Sequence, residues 1–294
     1  MSASAWQNRG IRHYSPMPIE RHLDPTSFLT AAAPTLASAP AFAALLAVLV
    51  PNIESHPVPG RCLMATWAGD GLHGVAFQRN EGPLVLGGQL GVAAAELARW
   101  VADEVPDLNG FTGPLGTCEA FAAAWRHVAT SVAKQRTHMR NHVLSRLISP
   151  PSASGTMRVA DAGDGDWLLA MLRAFANEAG MPLNEPTLQR QMMTRLEAGG
   201  YRIWEIGDVP TAFAGFTLAG ATAARIAPVY TLPAFRGRGC ASALVAAMCI
   251  DLLEQREAIF LVTDVSNPVS NAIYRRLGFE PLDDTYAYDL QDAG

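Results

Sequence analysis

The chain has 294 residues, 49% of them hydrophobic and 17% charged, and carries a formal net charge of −5. This composition describes a soluble globular protein with enough apolar surface for two cores, and its acidic balance argues against a general nucleic-acid binder. Cys62, Cys118, Cys240 and Cys249 are widely separated without C-x-x-C or Cys/His spacing, and the seven histidines form no ligand pattern, so neither a disulfide framework nor a metal site is expected.

Residues 1–23 read as an N-terminal tail, because Trp6 to Asp24 is polar and mixed. No basic segment leading into a cleavable apolar run opens the chain. The most apolar stretch, Ala39 to Val50, carries Pro40 and is followed by Pro51. At about a dozen residues it is too short to cross a bilayer, so no membrane association and a cytoplasmic location are expected.

Beyond it, Trp67-Ala68-Gly69-Asp70 and Gly74-Val75-Ala76-Phe77 read as a hairpin, followed by a strand after Pro83. The glycines of 87–91 then precede a helix from Val92 to Val105, and a further helix spans Glu119 to Ala129 around Phe121, Trp125 and Val128. Apolar periodicity gives way to Pro, Ser and Gly at 148–155, which reads as a linker between a first domain, 24–147, and a second, 156–294.

In the second domain, Met157 to Ala160 reads as a strand. Trp167, Leu168, Met171, Leu172 and Phe175 recur at helical spacing behind Asp164 or Asp166, and Leu188 to Leu196 offers a second helix. Tyr201 to Ile206 and Ala212 to Leu218 flank a turn at Gly207-Asp208-Val209-Pro210, and Thr222 to Tyr230 makes a third strand. A helix from Ala241 to Leu253, a strand at Ile259, a helix from Ser270 and a closing strand from Thr285 to Leu290 complete the order.

Between that third strand and the long apolar helix lies Arg236-Gly237-Arg238-Gly239-Cys240-Ala241. Its glycines permit a tight turn that brings backbone N–H groups together at a helix N-terminus, and its arginines add charge-assisted bonds. The arrangement suits a pyrophosphate. Downstream comes Asn267-Pro268-Val269-Ser270-Asn271-Ala272-Ile273-Tyr274-Arg275-Arg276-Leu277-Gly278-Phe279.

Together these segments resemble the GNAT superfamily of acyl-CoA N-acyltransferases. Its [RQ]-x-x-G-x-[GA] loop is matched by Arg236, Gly239 and Ala241, and its N-x-x-[SAN]-x-x-x-Y-x-[RK]-x-G-F segment by Asn267, Ser270, Tyr274, Arg276, Gly278 and Phe279. The resemblance covers roughly Thr156 to Leu290 and implies an α/β (α+β) fold with a mixed, mostly antiparallel sheet flanked by helices. The first half echoes the same order around Trp67 and Gly74 but has neither the loop arginines nor the Asn/Tyr/Gly-Phe segment. It reads as a degenerate GNAT-like domain without an acyl-CoA site, making the chain a tandem.

The resemblance implies acetyl-CoA, or another acyl-CoA, as co-substrate and no metal. Arg236, Gly237, Arg238, Gly239, Cys240 and Ala241 would hold the pyrophosphate, and Val229, Tyr230 and Thr231 would pair with the pantetheine arm at a bulge. Asn267 and Asn271 would bond the pantetheine amides, and Tyr274 would stand near the sulfur as general acid. A phenol with pKa about 10 can donate as a thiolate develops.

The strand that carries a glutamate base in many relatives reads Thr222-Ala223-Ala224-Arg225-Ile226-Ala227 here. The candidates for the base are therefore Glu178, Glu205 or a water chain ending at Tyr230. The expected reaction is direct transfer of an acyl group to a primary amine on a small molecule or peptide. A ping-pong route through Cys240 is disfavoured, since that residue would face phosphate. A non-catalytic acyl-CoA sensor is the alternative, and a homodimer is compatible with the family. A dinucleotide-binding oxidoreductase fails because no G-x-G-x-x-G follows a first strand.

Overall fold

The computed structural model describes residues 18–50, 62–69, 71–79, 82–181 and 183–292. In chain order the first half contains β1 (Ile19–Arg21), α1 (Pro25–Ala37), α2 (Pro40–Leu49), β2 (Cys62–Gly69), β3 (Leu72–Arg79), β4 (Leu84–Gly88), α3 (Ala94–Glu104), β5 (Gly110–Gly113), α4 (Leu115–Trp125) and β6 (Ser131–Leu144). The second half adds β7 (Thr156–Val159), α5 (Gly165–Glu178), α6 (Glu185–Glu197), β8 (Tyr201–Ile206), β9 (Val209–Ala219), β10 (Ala223–Thr231), α7 (Cys240–Leu253), β11 (Ala258–Asp264), α8 (Pro268–Arg276) and β12 (Phe279–Asp292). No described helix is long and apolar enough to cross a membrane.

Two compact units result: Met1–Thr35 with Gly60–Lys134 and Asp289–Gly294, and Leu36–Pro59 with Gln135–Tyr288. Within the first, β1 to β5 lie in chain order. The β2–β3 and β3–β4 pairs are antiparallel and β4–β5 is parallel. The second unit repeats that pattern, with β8–β9 and β9–β10 antiparallel and β10–β11 parallel. The echo between halves is thus one of topology. It is inexact in side chains, for Trp67 pairs with Gly74 whereas Trp204 pairs with Ala212.

The second unit does not begin at the Pro/Ser/Gly stretch. Its sheet runs β12-β6-β11-β10-β9-β8-β7, so β6, which precedes that stretch, lies between β11 and β12. Residues 135–147, which the sequence places in the first domain, therefore belong to this sheet. The strand is too polar to announce itself by apolar alternation. Its side chains instead meet acids on β12: Arg140 donates to both carboxylate oxygens of Asp284 at 2.7 and 2.9 Å, His138 Nε2 lies 2.6 Å from Asp284, and Asn141 donates to Asp283 at 2.7 Å. Helix α2 also belongs here, its Ala41 and Ala44 packing with Ala219, Ala223 and Phe260.

The 148–155 segment is pinned at both ends rather than free. Ile148 N–H donates to Leu277 O at 3.0 Å, and Trp204 Nε1–H donates to Ser154 O at 3.0 Å.

Helices cover both faces of the sheet. Amphipathic α5 turns Leu168, Leu169, Leu172 and Ala176 inward and, with α6, packs on Tyr201, Ile203, Phe213 and Tyr230. Asp164, one of the two expected caps, is its N-cap residue, and a capping box between Asp161 and Asp164 fixes the single 3-10 turn that leads into it. The opposite face carries α7, apolar nearly all round, and α8 over Ala212, Ala214, Ala224, Ile226, Ile259 and Leu261.

Candidate active site

Strand β10 is where the site opens. It runs parallel to β11 from Ala223 to Ile226, then shifts register against β9 between Ile226 and Val229, at a cis Ala227-Pro228 bond. Beyond the bulge Val229, Tyr230 and Thr231 stay paired to β9, but their β11-facing edge has no strand partner among the described residues. On its opposite edge β11 continues to pair with β6 through Val262, Thr263 and Asp264, while its pairing with β10 ends at Leu261. The two strands therefore part, and the expected splay is present. Thr231 Oγ1 is buried there without a hydrogen-bond partner among the described residues.

The glycine loop follows. Gly237 and Gly239 adopt φ of 75° and 81°, a region closed to most side chains, and Gly239 caps α7 without any side-chain bond. The first N–H groups of α7, from Cys240 and Ala241 onward, are accordingly open to an anion. Arg238 lies over the Phe235 ring at 5.2 Å. Cys240 is buried, its Sγ 3.8 Å from Phe235 O, so its backbone rather than its thiol addresses the loop. An orphaned hydroxyl, a free strand edge and an uncapped helix N-terminus behind two left-handed glycines together suit a pantetheine arm ending in a pyrophosphate.

Arg236 departs from expectation. It does not point into this loop: its guanidinium donates to Glu178 at 2.8 and 3.0 Å and to Thr231 O at 3.0 Å, and lies 5.3 Å over the Tyr230 ring. The reason is the carboxylate at the end of α5, both of whose oxygens accept from Arg236 Nη2, a partner that no local pattern reveals. Tyr230 also donates to Glu178, at 2.7 Å. The Tyr230 hydroxyl, and then Arg236, hold the Glu178 carboxyl below its ordinary range. Burial, reinforced by the carboxylate, raises the Tyr230 phenol. Glu178 and Tyr230, separate candidates in the sequence, thus form one hydrogen-bonded pair. Glu205 receives Arg158 Nε–H at 2.7 Å beside the Arg158–Asp164 ion pair and has no phenol partner of the kind Glu178 has in Tyr230.

On α8, Asn267 is the N-cap, accepting Ser270 N–H at 3.1 Å, which leaves its amide nitrogen to donate elsewhere. Asn271 does not serve a ligand. Its amide protons go to the carbonyls of Asp264 at 3.0 Å and Asn267 at 2.8 Å, and its oxygen accepts Thr263 Oγ1–H at 2.6 Å. His142 Nε2–H then donates to Thr263 at 3.0 Å. This Asn271-Thr263-His142 chain was not legible in the sequence, for its members come from α8, β11 and β6.

Tyr274 is 9% exposed, edge-on to Phe279 at 5.9 Å, with no hydroxyl partner among the described residues. Burial, with Cys249 nearby, raises its pKa well above that of a free phenol. It therefore remains protonated throughout the physiological range. Gly278 takes φ of 93°, and a Cβ there would collide with Arg146 O. Around it Ser145 N–H donates to Gly278 O at 3.1 Å, so the Gly-Phe pair accommodates the return of β6.

The counterpart loop in the first unit, Gly88 to Gly91, opens on a cavity of about 320 Å³ lined by Gln89, Leu90, Pro114, Gly116, Thr117 and Ala120. No arginine or lysine is among its walls. Among the described residues no cluster of metal-ligating side chains occurs.

Residues 167–279 match the model of the acetyltransferase (GNAT) family. No curated protein matches the chain significantly. Among solved structures, a Drosophila protein aligns at TM-score 0.66 and 13% identity over 95% of this chain and 100% of its own. A GCN5-related N-acetyltransferase from Sphaerobacter thermophilus aligns at 0.61 and 13% over 93% and 95%. A tandem GNAT protein from the clavulanic acid biosynthesis pathway aligns at 0.54 and 13% over 94% and 99%. At such identities the solved structures speak to the fold, while the family match covers the splayed strand, the glycine loop and the Asn/Tyr/Gly-Phe segment. Residues 167–279 form an acetyltransferase domain of the GNAT family, and the chain shares the fold of solved tandem GNAT structures.

Proposed function

We propose that the second unit transfers an acetyl group from acetyl-CoA to a primary amine by direct attack. The observation that carries this reading is the parting of β10 from β11 beside an uncapped α7. The Val229–Thr231 edge and the Asn267 amide hold pantetheine, while Gly237, Arg238, Gly239 and the first N–H groups of α7 hold the pyrophosphate. The amine nitrogen forms a bond to the thioester carbon, the C–S bond breaks, the amine loses a proton and the thiolate gains one.

Tyr274 is the donor to the sulfur. Its anion is disfavoured by burial, so it supports the developing thiolate by a hydrogen bond and yields its proton only in concert with C–S cleavage. On the other side the Tyr230–Glu178 pair receives the amine proton, the phenol passing its own proton to the carboxylate as it accepts one. Arg236 depresses the basicity of that carboxylate, an observation that favours the rival reading of a non-catalytic acyl-CoA sensor.

One measurement separates the two: release of CoA thiol with an amine panel, in wild type and Tyr274→Phe. Transfer predicts turnover in wild type and a kcat lower by about 10²–10⁴-fold in the variant at unchanged acetyl-CoA affinity. Binding without any CoA release establishes the sensor. The first unit, lacking cationic walls at its loop, is assigned a supporting role without acyl-CoA. The described cysteines are all free thiols, the state a reducing cytoplasm maintains, and we place the protein there.

A further inference from the structure

Two arginines, Arg225 and Arg195, lie on one face of the second sheet, and neither makes an ion pair with any described residue. Ala224 and Ile226 pack under α7, so strand alternation sends Arg225 to the opposite face, which carries α2 over Ala223 and Phe260 and then α5 and α6, and where Tyr230 emerges beyond the bulge. Arg225 is half-buried next to Phe260, its partner on β11, and its side chain makes no hydrogen bond or ion pair with any described residue. Arg195, from the last turn of α6, reaches across the same face. Its Nη1–H donates to Ala227 O at 2.8 Å, and its guanidinium lies 5.5 Å over the Tyr201 ring.

Gly215 keeps this place open, since a Cβ there would stand 3.0 Å from Arg195 Nη1 and 2.9 Å from Ala227 O. Burial, and then the neighbouring Arg195 charge, lower the Arg225 pKa, the mark of a cation held against its own solvation and against a like charge. Glu178, the carboxylate at the end of α5, is already committed to Tyr230 and Arg236. Half-buried, uncompensated like charges beside the point where the strands part are costly unless something anionic joins them.

We propose that Arg225 and Arg195 form a subsite for the carboxylate of the acceptor, so that the amine acetylated belongs to an amino acid. A carboxylate offers two oxygens to planar guanidinium forks and relieves the repulsion between them. Held at Arg225, two residues before the bulge, it directs the substrate's amine toward the opened edge of β10. This rests on the transferase reading for its consequence, and the test keeps the two apart.

Glycine, β-alanine and γ-aminobutyrate are compared with their carboxamides in the CoA-release assay, and their N-acetyl derivatives are titrated calorimetrically into the CoA-loaded protein. The carboxylates should show KM values about ten- to hundredfold below those of the amides, as charge-assisted bonds confer. Arg225→Gln should erase the preference without weakening CoA binding or lowering the melting temperature, and Arg225→Lys should restore part of it. Equal KM values for acids and amides, or a preference that survives Arg225→Gln, overturns the subsite while leaving the transferase reading intact. N-acetyl acids that bind wild type but not Arg225→Gln, with no amine turned over, establish the subsite and refute the transferase instead. Absence of both binding and preference overturns it.

Discussion

A fragment beginning at Ser152 contains every GNAT motif yet is expected not to fold stably, and the reason is in the second sheet. Such a fragment lacks β6, leaving β11 and β12 with unpaired inner edges. Strand β6 meets β11 at five residue pairs from Phe260↔Val143 to Asp264↔Met139. At about one ladder bond per pair and a net ~0.5–1.5 kcal/mol each, that contributes roughly 2.5–7.5 kcal/mol. The bonds of Ser145 and Ile148 to Gly278 and Leu277, and the side-chain bonds of His138, Arg140 and Asn141 to the β12 acids, bring the loss to about 5–15 kcal/mol. This is comparable to the whole stability of a typical domain, about 5–15 kcal/mol. Removing α2 further exposes Ala219, Ala223 and Phe260. Circular dichroism melts of the full chain, a fragment from Ser131 and one from Ser152 test this, with CoA titration of each. The Ser131 fragment should recover a cooperative transition below that of the full chain. A Ser152 fragment that is monomeric and melts cooperatively within a few degrees of the full chain would refute the reasoning.

Arg238→Ala should weaken CoA binding by about tenfold, whereas Arg236→Ala should change it less than twofold because that guanidinium is committed to Glu178; calorimetry of both variants checks the division. Asp284 is held at a pKa of about 2, from 3.8, chiefly by the Arg140 hydrogen bond. Because the folded value is depressed, its contribution, about 1–2 kcal/mol after allowance for partial exposure, is present above roughly pH 4 and lost as pH falls toward 2. Denaturant titrations across that range should show the decline in wild type and a flatter profile in Asp284→Asn.

Most of the second unit was legible because its signals are local. The Gly237/Gly239 turn, the apolar run of α7, the spacing along α5 and the order of strands all appear within short windows. What was hidden depends on pairs distant in sequence. Arg236 finds Glu178 across 58 positions, and Asn141 finds Asp283 across 142. Strand β6 carries Lys134, Arg136, His138, Arg140 and His142, a pattern that reads as solvated surface until the acids of β12 are placed beside it. The domain boundary was drawn at the visible Pro/Ser/Gly stretch for the same reason. Turn chemistry marks where a chain bends and says little about which sheet a preceding strand has joined.

The Asn/Tyr/Gly-Phe segment itself divides by task, and that division bears on how such motifs are read. Asn271 ties the end of β11 to α8 through Thr263 and His142, and Gly278 clears the Arg146 carbonyl where β6 returns. Phe279 supplies the buried edge against which the Tyr274 ring is fixed. Asn267 and Tyr274 each keep a polar group with no hydrogen-bond partner among the described residues, the amide nitrogen of one and the hydroxyl of the other. A segment of this kind signals a binding site because the same positions first force β11, α8 and the incoming strand into register. The role proposed for Tyr274 depends on that register, since the burial that raises its phenol pKa comes from the core beneath it.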